Sequence, residues 1–466
     1  MEKEKKMEQN NQPKNQLELN KMGTMPVGKL MFTMSLPAMI SMIIHALYNI
    51  VDSIFVGMIG EPALAAVTLI FPVQMLLIAA GVGTGIGLNS LISRRLGERN
   101  FIEANIAANH GIFLAFINWS AFAIFGLFLS NIYVKAFSDN PVIIEYGTYY
   151  CSIVTIFSLF IFIQINVEKI LQATGNMILP MICSLIGAAV NIALDPILIF
   201  GLLGAPKMGV AGAAAATVIG QFLAMCLGLL FLFTKKHDVK ISFKGFRINW
   251  TSVKNIYQVG LPAIIMQAMS AVMLVGFNII LISFSEAAVA VLGVYFRLQS
   301  FIFMPVFGLV QGSMPIFGYN YGAKNKERLI HAFKLALKTS IIIMAIGTII
   351  FQVFPVPLLK LFSASTEMIS IGVWALRSIS TCFIFAAIGI IASTMFQAMG
   401  HGTLSLIVSL LRQLVLALPL AFILARFAGL DYVWFAFPMA ELFALVASVL
   451  FLRYIFKKEI NHLGEE

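Results

Sequence analysis

The chain has 466 residues, of which 60% are hydrophobic and 11% charged, with a formal net charge of +10. Soluble domains carry roughly 25% charged residues, so this composition cannot cover a water-facing surface and implies lipid as solvent. The positive residues sit mainly in short links between apolar runs, which reads as membrane topology and excludes a nucleic-acid groove. Cys151, Cys183, Cys226 and Cys382 all fall inside apolar runs and form no CxxC pair. That argues against a disulfide framework or a zinc site.

In chain order, residues 1–28 are polar at first and are expected to be a disordered cytoplasmic segment. A membrane helix needs about 20 apolar residues. On that measure spans are expected at 30–57, 62–93, 105–130, 141–166, 177–200 and 208–233, then at 255–281, 288–318, 329–354, 368–396, 402–425 and 430–455. A membrane β-barrel would alternate polar and apolar residues, and SLIGAAVNIALDPILIFG (184–201) does not. The predicted fold is an all-α integral membrane protein of twelve helices. Residues 29–234 form one six-helix lobe and 255–456 a second, with a linker at 235–254 and a tail at 457–466. The links SRRLGERN (93–100), 168–176, 235–254 and 320–328 hold most of the Lys and Arg, whereas the alternate links hold few. Both termini are therefore expected on the cytoplasmic side of a bacterial cytoplasmic membrane.

The two lobes repeat at an offset of 225. Leu36-Pro37-Ala38 recurs as Leu261-Pro262-Ala263, Gly97 and Asn100 as Gly322 and Asn325, and Gln172-Ala173-x-Gly175 as Gln397-Ala398-x-Gly400. Chance similarity of apolar helices does not easily place Pro, Gly, Gln and Asn in register. Six helices per copy is an even number, so the copies are parallel repeats around a central cleft, an arrangement suited to alternating access. No GxxxxGK[ST] loop is present, so no ATPase, enzyme activity or cofactor is expected. Uphill transport would draw on an ion gradient.

LP…YNxVDxxFVG (36–57), SRRLGERN (93–100), NIALDPILIFG (191–201), MGVAGAAAATVIGQ (208–221) and FGYNYGAKN (317–325) together resemble the multidrug and toxic compound extrusion (MATE) family, in its bacterial multidrug-export and DNA-damage-inducible branch. The resemblance runs from about Leu30 to Lys457. It implies an antiporter, functional as a monomer, that exports hydrophobic organic cations in exchange for H⁺ or Na⁺. The runner-up is a flippase for a lipid-linked or amphipathic precursor. A membrane enzyme is disfavoured, because His45, His110, His237, His331, His401 and His462 form no metal-spaced set.

Asp52 is the only acidic residue between Leu30 and Gly60, and Asp195 the only charged one between Met177 and Pro206. Intramembrane acids usually pair or bind a cation. Both lie about three quarters along outward-running helices, hence at similar depth. If they meet they repel, and a proton or Na⁺ would relieve the repulsion. The alternative is that each sits at an interface or helix end, with Asp195 marking a kink at Pro196. Asn191 shares a helix face with Asp195, and Tyr48 lies one turn before Asp52, as a donor to it or as an aromatic of the cleft wall. The resemblance implies a cation site at Asn191, Asp195 and a helix-six hydroxyl matching Thr217, with Na⁺ a candidate at Asp52, Asn191 and Asp195. In the second lobe Phe277 and Leu420 replace the two acids. There Arg297, Arg377 and Glu441 are charged within spans, and pairing of Glu441 with Arg297 or Arg377 is the structural expectation. Tyr48, Pro196, Gln267, Asn278 and these charged residues are candidates for substrate contact or gating, Pro196 because a bend beside Asp195 could turn with protonation.

Overall fold

Long apolar runs leave the backbone no hydrogen-bonding solvent in lipid, and the helix satisfies those groups within each segment. The computed structural model describes residues 20–464 except Ser363, and of Asn49 only the backbone. Ten helices are long and apolar enough to cross a membrane, and two bent pairs bring the spans to twelve. They are α1 (Val27–Gly57), α2 (Glu61–Gly97), α3 (Phe101–Phe128), α4 (Pro141–Ile156 with Leu159–Ala173), α5 (Ile178–Phe200) and α6 (Val210–Thr234). The second lobe holds α7 (Trp250–Ile282), α8 (Glu286–Gly322), α9 (Lys326–Val353), α10 (Thr366–Ser380 with Phe383–Ala398), α11 (Gly402–Phe427) and α12 (Leu430–His462).

The repeat is written into the geometry. α2 starts and ends 225 residues before α8, and α3 does the same relative to α9. α4 bends by 43° between Ile156 and Leu159, and α10 by 47° between Ser380 and Phe383. The turn after α2 holds Arg99 at φ 58°, and its copy after α8 holds Lys324 at φ 53°. Asn100 and Asn325 then cap the next helices through Glu103 N and Arg328 N. A turn that puts a bulky residue in the left-handed region is costly, so its recurrence at one offset marks common ancestry of the halves.

Among the described residues the close approaches between the lobes gather toward one end of their facing helices. A Cβ on Gly87 (α2) would lie 2.0 Å from Ile256 O (α7), and one on Gly97 2.0 Å from Tyr319 O (α8). On α8, a Cβ on Gly308 or Gly312 would lie 2.5 Å from Met39 or Ser35 of α1. Ser90 Oγ donates to Gln397 O at 2.6 Å across the same seam. Toward the opposite end the corresponding faces carry exposed Leu76, Ile50 and Phe301. The cleft is thus closed at the end bearing the described termini and open at the other.

Several sequence expectations change. Residues 1–19, 465 and 466 lie outside the described residues, but 20–28 are ordered. Lys21–Thr24 is helical, Met22 is buried, and Arg328 Nη2 donates to Met22 O and Met25 O at 3.0 and 2.8 Å. The 235–254 link packs on α3, with Lys240 N donating to Asn105 Oδ1 at 2.7 Å and Asn249 N to His110 Nε2 at 2.8 Å. α4 continues to Ala173, so Glu168 and Lys169 are part of a span and not of a link. In the tail, Glu459 accepts from Tyr321 Oη and contacts His401 Nε2 at 2.9 Å.

Candidate functional site

Tyr48 and Asp52 are four residues apart on α1, as are Asn191 and Asp195 on α5, so each pair presents one face. α5 and α6 lie very close, because Gly220 leaves room for Gly187 O, which a Cβ there would meet at 2.7 Å. That approach lets Asn191 Nδ2 reach Thr217 Oγ1 on α6 at 3.3 Å and Asp195 Oδ1 at 3.5 Å. Asp195 is fully buried and Asn191 nearly so. Asp52, Asp195, Tyr48 and Tyr150 all stand within electrostatic reach of one another. Gln74 Nε2 on α2 donates to Tyr150 Oη on α4 at 3.0 Å. Five helices of the first lobe therefore converge on one polar cluster near the open end.

Three oxygens in this cluster are unsatisfied: Asp52 Oδ1, Asn191 Oδ1 and Asp195 Oδ2 are buried without a hydrogen-bond partner. A buried polar atom without a partner costs about 1–3 kcal/mol, more when charged. Neither acid has an ion-pair partner among the described residues. Two carboxyls, an amide oxygen and a hydroxyl form an all-oxygen donor set, which suits a hard cation or a proton. Among the described residues no three His, Cys, Asp or Glu side chains converge as a transition-metal site.

The second lobe differs. Glu441 on α12 is buried, and its partner is Arg412 on α11, with Nη1 to Oε1 at 3.5 Å. The expected pairing with Arg297 or Arg377 is corrected. Arg377 Nε donates instead to the backbone oxygen of Gln352 at 3.2 Å, and Arg297 is exposed on α8. Arg412 sits in a π-helical stretch, Leu411–Ala417, and its neighbour Gln413 accepts from Ser270 Oγ of α7 at 3.1 Å. Gln267 is exposed and Asn278 half-buried on α7. Pro196 lies inside a continuous α5, where it removes one backbone donor directly after Asp195. The second lobe thus compensates Glu441 internally, whereas in the first lobe Asp52 and Asp195 have no ion-pair partner among the described residues.

Tyr150, Gln74 and Arg412 are not singled out by the sequence as site residues, nor are the half-buried Glu168 and the buried Lys169. Glu168 Oε1 accepts from Gln164 Nε2 and Ser184 Oγ at 3.0 and 3.3 Å. Lys169 Nζ donates to Gln172 and, across the lobe seam, to Gln311 at 2.9 and 3.2 Å. A cavity of about 30 Å³ beside them is bordered by His45, Met42 and Glu168.

The sequence model of the MatE family matches residues 37–197 and again 262–423, one match per lobe. The multidrug export protein MepA of Staphylococcus haemolyticus is 26% identical over 89% of this chain and 90% of its own length. A protein of Shewanella oneidensis named FAD transporter is 26% identical, over 91% of this chain and 93% of itself. Among solved structures, an outward-facing multidrug resistance MATE family transporter superposes with a TM-score of 0.89 at 28% identity, covering 96% of this chain and 99% of that one. A Pyrococcus furiosus transporter of the MOP superfamily, described as having a binding pocket of reverse polarity, gives a TM-score of 0.88 at 28% identity, over 96% and 98% of the two chains.

Proposed function

Since this chain belongs to the MatE family of membrane transporters, we propose that it is a cation-coupled antiporter that exports hydrophobic organic molecules, organic cations among them, in exchange for H⁺ or Na⁺. The observation that carries the reading is the set of three unsatisfied buried oxygens on Asp52, Asn191 and Asp195, with no ion-pair partner for either acid among the described residues. An entering cation supplies the missing charge. Asp52, Asn191 and Asp195 hold it, Thr217 orients the Asn191 amide, and Tyr48 and Tyr150 screen the cluster from bulk water. With the cation bound, α1 and α5 no longer repel and can repack, which favours cargo release at the open end. Loss of the cation after the lobes rock restores the charge.

Cells producing the protein are expected to accumulate less of a cationic dye than cells with an empty vector. Equal accumulation across a broad panel of cations, with the protein verified in the membrane, would defeat the reading. The Lys and Arg bias puts the closed, terminus-bearing end in the cytoplasm. A reporter active only in the cytoplasm and fused after Lys240 should then be active, and an inactive reporter there would invert the topology.

A further inference from the structure

On α8 the face that meets α1 is marked by Gly308 and Gly312, where a Cβ would touch Met39 and Ser35. Eleven residues are close to three full turns, so Arg297 points within about 20° of Gly308 and lies about 16 Å nearer the open end. Phe301 shares this stripe and is 52% exposed. Arg297 is exposed, and helix spacing puts it on the α8 face that turns toward α1, the cleft side at this height. It has no ion-pair partner among the described residues. Asp52 does not serve, because it is turned about 140° around α1 from the Met39 direction, into the first lobe. Gln267 of α7, seven residues from the seam residue Gly260, returns to the same face and is also exposed.

An unpaired guanidinium deep in the membrane is costly and is kept where it meets water or an anion. It repels a purely cationic cargo. Its planar fork fits carboxylate or phosphate with two parallel hydrogen bonds. We propose that Arg297 receives an acidic group of the cargo, so that the favoured substrates are amphipathic aromatic molecules bearing a carboxylate or phosphate, alone or beside a positive charge. Phe301 supplies a surface for the ring system and Gln267 a further hydrogen bond. The inference rests on the exporter reading and narrows its substrate class.

The test uses purified protein in vesicles with two xanthylium dyes that differ at one group: rhodamine 110, with a free carboxylate, and its methyl ester, rhodamine 123. Arg297→Gln should slow transport of the acid dye about tenfold, the loss expected for a charge-assisted pair, and leave the ester unchanged or faster. Arg297→Lys should keep part of the acid-dye rate. Ester transport shows in the same sample that each variant is folded. Unchanged acid-dye transport in Arg297→Gln overturns the proposal. So does a fall of both dyes in equal proportion, the outcome if Arg297 is structural or holds a lipid phosphate. A parent protein that moves the ester but not the acid overturns this inference alone, and one that moves neither overturns the exporter reading with it.

Discussion

Asp195→Asn is expected to abolish gradient-driven transport while leaving the protein in the membrane at nearly its normal level. The substitution keeps the shape of the side chain and its contact with Asn191, which stands 3.5 Å away, and it removes the charge. Asp195 is fully buried, and its Oδ2 has no partner, so a neutral amide costs the fold little. The cation loses much of its reason to bind. Coupling between sites typically spans roughly 5–150-fold, and dye exchange in vesicles should fall by at least the middle of that range. Asp52→Asn acts on the same cluster and is expected to fall somewhat less, because Asp52 is only half-buried. Wild-type rates in both variants would remove the cluster from the mechanism, and Glu441 would be the next acid to test.

The second large effect is steric. Gly87→Val places a branched side chain where a Cβ alone would lie 2.0 Å from Ile256 O. The obstacle is backbone, so no rotamer change relieves it, and overpacking of this kind costs about 1–3 kcal/mol or more. That cost falls on the state with this end closed and is absent once the lobes part here. A bias of that size moves a two-state ratio by roughly 5–150-fold. Ser93 is fully buried beside Gly318 of the other lobe. A cysteine at position 93 should be inert to a membrane-impermeant thiol reagent in the parent background. With Gly87→Val it should react, and transport should collapse. An inert cysteine with normal transport would mean that the seam tolerates the wedge and does not open in the cycle.

The features legible in the sequence were those with few alternative explanations. Twelve apolar runs and Pro and Gly in register at an offset of 225 each have a single economical reading, and lone acids at matched depth have two, a shared cluster or separate helix ends. The structure puts Asp52 and Asp195 within electrostatic reach of each other, and Asn191 shares a face with Asp195 as helix spacing expects, whereas Thr217 beside Asn191 is a position that only the family resemblance implied. Tyr150 and Gln74 were not legible, because a tyrosine or glutamine in an apolar helix has many possible neighbours and only packing selects one. Glu168 and Lys169 looked like the end of a span, since charges normally stop an apolar run. Partners on α4, α5 and α8 satisfy them instead, and sequence spacing within one helix cannot show such partners. Arg412 was visible in LLRQLVLA (410–417), but its pairing with Glu441 depends on how α11, through its π-helical stretch, faces α12. Order in residues 20–28 depends on the Met22 and Met25 carbonyls accepting from Arg328, some 300 positions later.

In the proposed cycle one cation, held by the first-lobe acids, opposes binding of the cargo. Linkage makes this measurable without a gradient, since each ligand must weaken the other by the same factor. The direct measurement is dye affinity of purified protein across proton and Na⁺ concentrations, for the parent and for Asp52→Asn combined with Asp195→Asn. The parent is expected to bind dye more weakly as one of these cations rises, and the double variant to show no such dependence. The same cation dependence in both proteins, or none in the parent, would contradict the cycle.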